Sequence, residues 1–111
     1  MRVLFVCSKN KWRSPTAESI FSEEPGIDCM SAGLNHDSDN PLTAELVDWA
    51  EIIFVMETGQ KTKLQARYKE QLAGARVVCL GIPDKYPFMD PALIKLLRTK
   101  VTPYLRPNHS G

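Results

Sequence analysis

The chain has 111 residues, enough for one domain with a buried core and too few for two cores of ordinary size. Hydrophobic residues make up 43% and charged residues 24% of the sequence, a balance typical of a chain that folds. A formal net charge of +1 excludes a global attraction to nucleic acid or to an anionic membrane, so any anion site has to be local. We expect a single domain over residues 1–106 and a flexible tail at 107–111.

The apolar runs and the cysteines narrow the class of protein further. The longest apolar run, Val3 to Cys7, is far shorter than the roughly 20 residues of a membrane helix, and no signal-peptide cleavage site flanks it. Cys7, Cys29 and Cys79 are odd in number, far apart and without CxxC or CxxH spacing. The sequence therefore predicts a cytoplasmic protein without a disulfide framework, metal site or cofactor, and without a nucleic-acid or membrane partner.

Four apolar runs have the character of buried strands. Arg2 to Cys7 is β-branched and aromatic and shows no alternation, which is typical of a strand buried on both faces of a parallel sheet. Further runs predict strands at 27–32, 52–56 and 76–80.

Helix signals lie between these runs. A potential capping residue followed by proline predicts helix starts at Ser14–Pro15, Asn40–Pro41 and Asp90–Pro91. The polar and basic segment 58–69 predicts a surface helix. Strands that alternate with helices predict a three-layer α/β/α fold with a four-stranded parallel sheet, in which ligands bind at the carboxyl ends of the strands.

The loop between the first strand and the first helix predicts an anion site. It begins at Cys7 and ends at Arg13, directly before the Ser14–Pro15 helix start. Backbone NH groups above a helix amino terminus can converge on one phosphate, and the same field stabilises a thiolate at Cys7. The guanidinium of Arg13 can grip two phosphoryl oxygens, and Lys9 and Lys11 add local positive charge.

A structural interpretation of the same residues stays open. A cysteine at a strand end is often a small buried hydrophobe, and loop lysines are often only solvated. The placement of the C-x5-R pattern between a buried strand and a Ser–Pro helix start favours catalysis. The predicted phosphate-binding residues are Ser8, Lys9, Asn10, Lys11, Trp12 and Arg13.

The stretch VLFVCSKNKWRSPTAE resembles the amino terminus of the low-molecular-weight protein tyrosine phosphatases, whose signature loop is C-x5-R-S-P after a first strand. The similarity continues through 31–33, 48–50 and 53–56. This resemblance implies a four-stranded parallel sheet between helices, and cleavage of phosphate monoesters through a phosphocysteine intermediate. It further implies that Cys7 is the nucleophile, Arg13 binds the phosphoryl group, Asn10 holds the loop, and Ser14 supports the thiolate.

The leaving oxygen needs a proton donor, for which Asp84 and Asp90 are the candidates. The family carries Asp-Pro-Tyr-Tyr in this loop; Asp84-Lys85-Tyr86 is the nearest match, and the literal Asp–Pro pair is Asp90–Pro91. Because Asp90 precedes a proline and a helix, we expect it to be an N-cap, and we expect Asp84 to be the general acid. Trp12 and Tyr86 are predicted to form the substrate wall. A half-buried loop tyrosine is an equally good interpretation of Tyr86, whereas the pocket is favoured for Trp12 over packing on the adjacent helix, because a loop tryptophan next to an anion site has few apolar partners.

The resulting hypothesis is a cysteine-dependent phosphatase that acts on a phosphotyrosine protein or an aryl phosphate. A non-catalytic phosphate- or phosphopeptide-binding module is the first alternative. Arsenate reduction is the second, and it is weaker because that chemistry needs two further redox cysteines while only Cys79 lies in the later half of the chain.

Overall fold

The computed structural model describes residues 1–105, so the tail predicted at 107–111 lies outside the described residues. Within residues 1–105, strands and helices alternate. They are β1 (Arg2–Cys7), α1 (Arg13–Phe21), β2 (Asp28–Gly33), α2 (Ala44–Trp49), β3 (Ile52–Val55), α3 (Thr58–Arg67), β4 (Arg76–Cys79) and α4 (Pro91–Val101). Short 3-10 turns follow α3 at Gln71–Gly74 and α4 at Thr102–Tyr104.

The strands form one parallel sheet with the order β2-β1-β3-β4. β1 is central and is buried from Val3 to Cys7, which explains why its sequence is uniformly apolar. Because every strand runs in the same direction, all four carboxyl ends lie at one edge of the sheet. The predicted α/β fold with a four-stranded parallel sheet is confirmed.

The two faces of the sheet are covered by different helices. On one face, the ring of Phe5 stacks between Phe21 of α1 and Phe54 of β3, with ring centroids 5.7 and 5.5 Å away, and Leu97 of α4 completes this cluster. On the other face, α2 and α3 bury their apolar residues against the alternate positions of β1 and β3. Successive side chains of the buried strands point to opposite faces of the sheet, and helices cover both faces, which gives the three layers of the fold.

Two of the three predicted helix starts are wrong in detail. Ser14 does not cap α1, which begins at Arg13; its hydroxyl faces Cys7 instead. The helix predicted at Asn40–Pro41 begins at Ala44, with Thr43 as its N-cap. No helix forms at Asn40–Pro41 because these residues pair with the end of β2, where the Gly33 amide donates to the Asn40 carbonyl at 2.9 Å.

The third start is confirmed. Asp90 caps α4, its carboxylate accepts a hydrogen bond from the Ala92 amide at 2.8 Å, and Pro91 occupies the first helical position.

The segment after β4 continues the sheet ladder. The Leu80 amide donates to the Val55 carbonyl and the Ile82 amide donates to the Met56 carbonyl, both at 2.8 Å. This pairing carries the chain to Asp84 at the edge where β1 ends in Cys7. The residues that follow β1, β3 and β4 are thus brought to one place.

Candidate active site

The loop from Cys7 to Arg13 is wound around the sulfur of Cys7. Asn10 has a left-handed backbone with φ of 57°, a conformation that asparagine tolerates better than most residues. This turn aims the Asn10 amide at the sulfur, to which it donates at 3.2 Å. Cys7 itself is only 3% exposed. The predicted loop geometry therefore places a backbone donor directly on the thiol.

Ser14 supplies a second partner for the sulfur. Its Oγ lies 3.0 Å from Cys7 Sγ and accepts a hydrogen bond from the Asn10 side-chain amide at 2.9 Å. Because an amide NH2 can only donate, the serine oxygen is the acceptor in that contact, and its own proton is available to donate to a thiolate at Cys7. Asn10 and Ser14 therefore have the arrangement needed to support a thiolate.

The segment from Leu34 to Asp39 holds the outer side of the loop. Its backbone amides donate to three successive loop carbonyls: Leu34 to Cys7 and Asn35 to Ser8, both at 2.9 Å, and Asp39 to Lys9 at 3.3 Å. These three carbonyls are thus engaged by the outer side, and the Asn10 amide, which follows the Lys9 carbonyl, donates to the sulfur on the inner side. We name residues 34–39 the outer segment.

Arg13 is buried behind the cavity with only 3% of its side chain exposed. Its Nη1 donates to the Ile82 carbonyl at 2.9 Å and lies 3.3 Å from Glu57 Oε1. Its Nε lies 3.7 Å from Asp84 Oδ1. The guanidinium is thus held by two groups through Nη1, whereas Nε has the longer contact with Asp84, which a bidentate anion at the Nε–Nη2 edge would replace.

A cavity of about 250 Å³ opens above Cys7. Its lining comprises Cys7, Ser8, Lys9, Lys11, Trp12, Arg13 and Asp84, so almost all of it comes from the predicted loop. Lys9 also pairs with the exposed Asp37 at 3.6 Å, and Trp12 is 46% exposed at the rim. The cavity combines a thiol, backbone donors and three cationic side chains, which suits a phosphoryl group.

The two candidate acids have different surroundings. Asp84 lines the cavity and has 58% of its side chain exposed, whereas Asp90 is engaged as the N-cap of α4. Tyr86, predicted as a substrate wall, is not among the lining residues described for the cavity. It packs against the core on the α1 and α4 side of the sheet, and Lys85 Nζ lies 5.5 Å from its ring centroid.

The two remaining cysteines lie away from the loop. Cys29 pairs in register with Val3, at the end of β1 opposite Cys7, and burial, with smaller contributions from Glu18 and Asp28, raises the pKa of its thiol from 9.0 to about 11. Cys79 pairs with Val55, and a strand separates it from β1. A cysteine relay of the kind that arsenate reduction needs is therefore not favoured.

Sequence reasoning missed two residues that touch the loop, Glu57 and Gln60. Glu57 pairs with Arg13, and the Gln60 side chain donates to Ser8 Oγ at 3.1 Å. The sequence did carry a signal for them. Glu57 and Gln60 have the three-residue spacing of a capping box. They follow a buried strand, which places them at the edge of the sheet where ligands bind.

Among residues 1–105, no group of three or more histidine, cysteine or acidic side chains is placed to hold a metal ion. In the same part of the chain, no helix has both the length and the apolar character needed to span a membrane.

A C-x5-R loop on a parallel α/β sheet is typical of a class of phosphoryl-binding proteins, and comparison with known proteins shows which family this chain resembles. Residues 2–51 match the model of the family described as low molecular weight phosphotyrosine protein phosphatase. A curated relative from Ralstonia nicotianae, named probable low molecular weight protein-tyrosine-phosphatase EpsP, is 28% identical over 113 residues. That alignment covers 80% of this chain and 77% of the relative.

Solved structures agree on the fold. Wzb from Vibrio vulnificus, solved in complex with benzylphosphonate, is similar with a TM-score of 0.76 and 21% identity, covering 96% of this chain and 97% of Wzb. YwlE arginine phosphatase from Geobacillus stearothermophilus has a TM-score of 0.73 and 23% identity, covering 96% and 93%. The resemblance to the low-molecular-weight protein tyrosine phosphatases predicted from the sequence is thereby confirmed.

Proposed function

We propose that the protein is a cysteine-dependent phosphate monoester hydrolase that works through a phosphocysteine intermediate. The observation that carries this proposal is the position of Cys7 Sγ in the cavity, with the Asn10 amide 3.2 Å away and the Ser14 hydroxyl 3.0 Å away. Both groups stabilise negative charge on sulfur, which makes the thiolate available as a nucleophile.

In the first step the phosphoryl group lies between Cys7 and the leaving group. The Nε–Nη2 edge of Arg13 and the loop amides from Ser8 to Arg13 hold its equatorial oxygens, with Lys9 and Lys11 adding positive charge. The S–P bond forms as the P–O bond to the leaving group breaks. Asp84, which lines the same cavity, gives its proton to the departing oxygen.

In the second step water attacks phosphorus. The Asp84 carboxylate takes a proton from that water, the S–P bond breaks, and Cys7 leaves as a thiolate while inorganic phosphate is released. The Ser14 hydroxyl supports the sulfur as it regains its negative charge. Asp84 is therefore the acid in the first step and the base in the second.

The proposed substrate is a phosphotyrosine protein or another aryl phosphate in the cytoplasm. The family implies a phosphorylated substrate, and the curated relatives are named as probable tyrosine phosphatases. Trp12 offers an exposed aromatic surface at the rim, where it can pack against an aryl group.

Steady-state hydrolysis of an aryl phosphate tests this proposal. The wild type should turn over, whereas Cys7→Ser should lose turnover and still bind inorganic phosphate, because the loop amides and Arg13 remain. Cys29→Ser and Cys79→Ser are matched controls and should keep the wild-type rate. Phosphate binding by a wild type that does not turn over would instead support the non-catalytic binding module.

A further inference from the structure

The first turn of α3 makes two contacts with the phosphate loop that the chemistry above does not use. Glu57 and Gln60 form the capping box of α3, in which Gln60 Oε1 accepts from the Glu57 amide at 3.0 Å. The same oxygen accepts from the Met56 amide at 2.9 Å. Since Gln60 is only 4% exposed, this polar side chain is buried directly behind the loop.

Gln60 uses both ends of its amide. Nε2 donates to Ser8 Oγ at 3.1 Å and to Glu57 Oε1 at 3.2 Å. A single buried side chain therefore joins the end of β3, the Glu57 carboxylate and the second residue of the loop. A capping box by itself needs only the contacts within α3, so the link to Ser8 is additional to capping.

Glu57 makes the corresponding link to Arg13. Its Oε1 lies 3.3 Å from Nη1, the same nitrogen that donates to the Ile82 carbonyl. These two contacts fix the rotation of a guanidinium whose side chain is only 3% exposed, and both of them are made through Nη1, not through Nε or Nη2. Glu57 thus orients the cation without occupying the edge that a phosphoryl group would use.

We propose that Glu57 and Gln60 are positioning residues, through which the capping box of α3 sets the orientation of Arg13 and Ser8 for phosphoryl transfer. The inference rests on the proposed hydrolase function. The inference predicts different effects on phosphate binding and on turnover. Without the Glu57 charge, Arg13 attracts phosphate at least as strongly, but its guanidinium is poorly oriented. Misplacement of a group that has to stabilise the transition state lowers kcat, even where ground-state binding survives.

Glu57→Gln is the central variant, because it removes the charge and keeps an oxygen that can cap α3. Glu51→Gln is the matched control. The side chain of Glu51 is 48% exposed and that of Glu57 is 45% exposed, and each pairs with an arginine. Glu51 precedes β3 at the opposite edge of the sheet. Each variant is assayed well below its melting temperature for kcat with an aryl phosphate and for competitive inhibition by inorganic phosphate.

We expect Glu57→Gln to lower kcat by about 10- to 100-fold while its inhibition constant for phosphate stays equal or improves. Glu57→Asp, which keeps the charge and a good capping group, should recover most of the lost kcat. Glu51→Gln should match the wild type. Gln60→Met, which cannot donate to Ser8, should shift kcat in the same direction as Glu57→Gln.

Two results would overturn the inference while the hydrolase proposal stands. The first is a kcat of Glu57→Gln equal to that of Glu51→Gln. The second is a Glu57→Gln variant that loses phosphate affinity in proportion to kcat, which would indicate a collapsed loop and not a misoriented cation. A wild type without turnover would overturn both proposals together.

Discussion

Asp84 and Asp90 show how surroundings assign different roles to the same side chain. Asp84 lines the cavity, has 58% of its side chain exposed and lies 3.7 Å from Arg13 Nε. The carboxylate of Asp90 is held by the Ala92 amide at the start of α4. The proton donor we propose is therefore Asp84.

We predict that Asp84→Asn slows cleavage of substrates with poor leaving groups by about 100-fold, because an amide cannot protonate the departing oxygen. Activated aryl phosphates, whose leaving groups need less protonation, should be affected much less. Steady-state kcat across a series of substituted phenyl phosphates measures the difference.

Asp90→Asn is the control for that series. Asparagine caps helices nearly as well as aspartate, so both stability and kcat should stay at the wild-type values. An equal slowing across all leaving groups in Asp84→Asn, or a selective slowing in Asp90→Asn, would place the acid elsewhere.

The contacts of Ser14 show where local sequence reasoning stops. The Ser–Pro pair correctly indicated a helix at this position, but the spacing suggested that the serine caps it. The partner of the hydroxyl is decided by the left-handed turn at Asn10, which brings Asn10 and Cys7 to the same oxygen. Such a turn in a non-glycine residue depends on the surrounding contacts, and pattern alone does not reveal it.

The outer segment connects β2 to the candidate active site. Gly33 ends β2, and a Cβ at this position would lie 2.5 Å from Ser38 Cβ and 2.9 Å from the Ser8 carbonyl. The close approach of the two segments is what allows residues 34–39 to reach three carbonyls of the phosphate loop. Glycine is required here for space and not for an unusual backbone conformation.

We therefore predict that Gly33→Ala lowers the free energy of unfolding by about 1–3 kcal/mol through overpacking. Because the Ser8 carbonyl has to shift, inhibition by inorganic phosphate should weaken as well. Urea denaturation and inhibition constants measure the two effects.

Gly74→Ala is the matched control, since no heavy atom lies within 4 Å of the added carbon. It should leave phosphate inhibition unchanged. If Gly33→Ala weakened stability but left phosphate inhibition at the wild-type value, the outer segment would be a packing element only.

The position at which a helix begins depends on its local sequence and on the contacts of neighbouring segments. Asp90–Pro91 was predicted correctly because the cap and the proline act within one turn of chain. Asn40–Pro41 carries the same signal, yet the pairing of this stretch with Gly33 keeps it out of the helix, and α2 begins at Ala44. A long-range ladder thus overrides a local signal that is equally strong.

The parallel sheet collects the site from segments that are distant in sequence. Cys7 ends β1, Glu57 follows β3, and Asp84 follows β4, and each lies at the shared carboxyl edge. The fold and the loop could be predicted from the sequence, because their signals lie within contiguous segments and because the carboxyl ends of parallel strands share one edge. The contacts of Glu57 and Gln60 could not, because they depend on how closely α3 approaches the loop.

The account depends on transfer of phosphorus to the sulfur of Cys7. The most direct test quenches the wild type during turnover of an aryl phosphate and maps phosphorylated peptides by mass spectrometry. We predict one phosphoryl group per chain, attached to Cys7, at a level that decays with the rate of phosphate release. Release of phosphate without modification of Cys7, or with the phosphoryl group on a different side chain, would contradict the proposed mechanism.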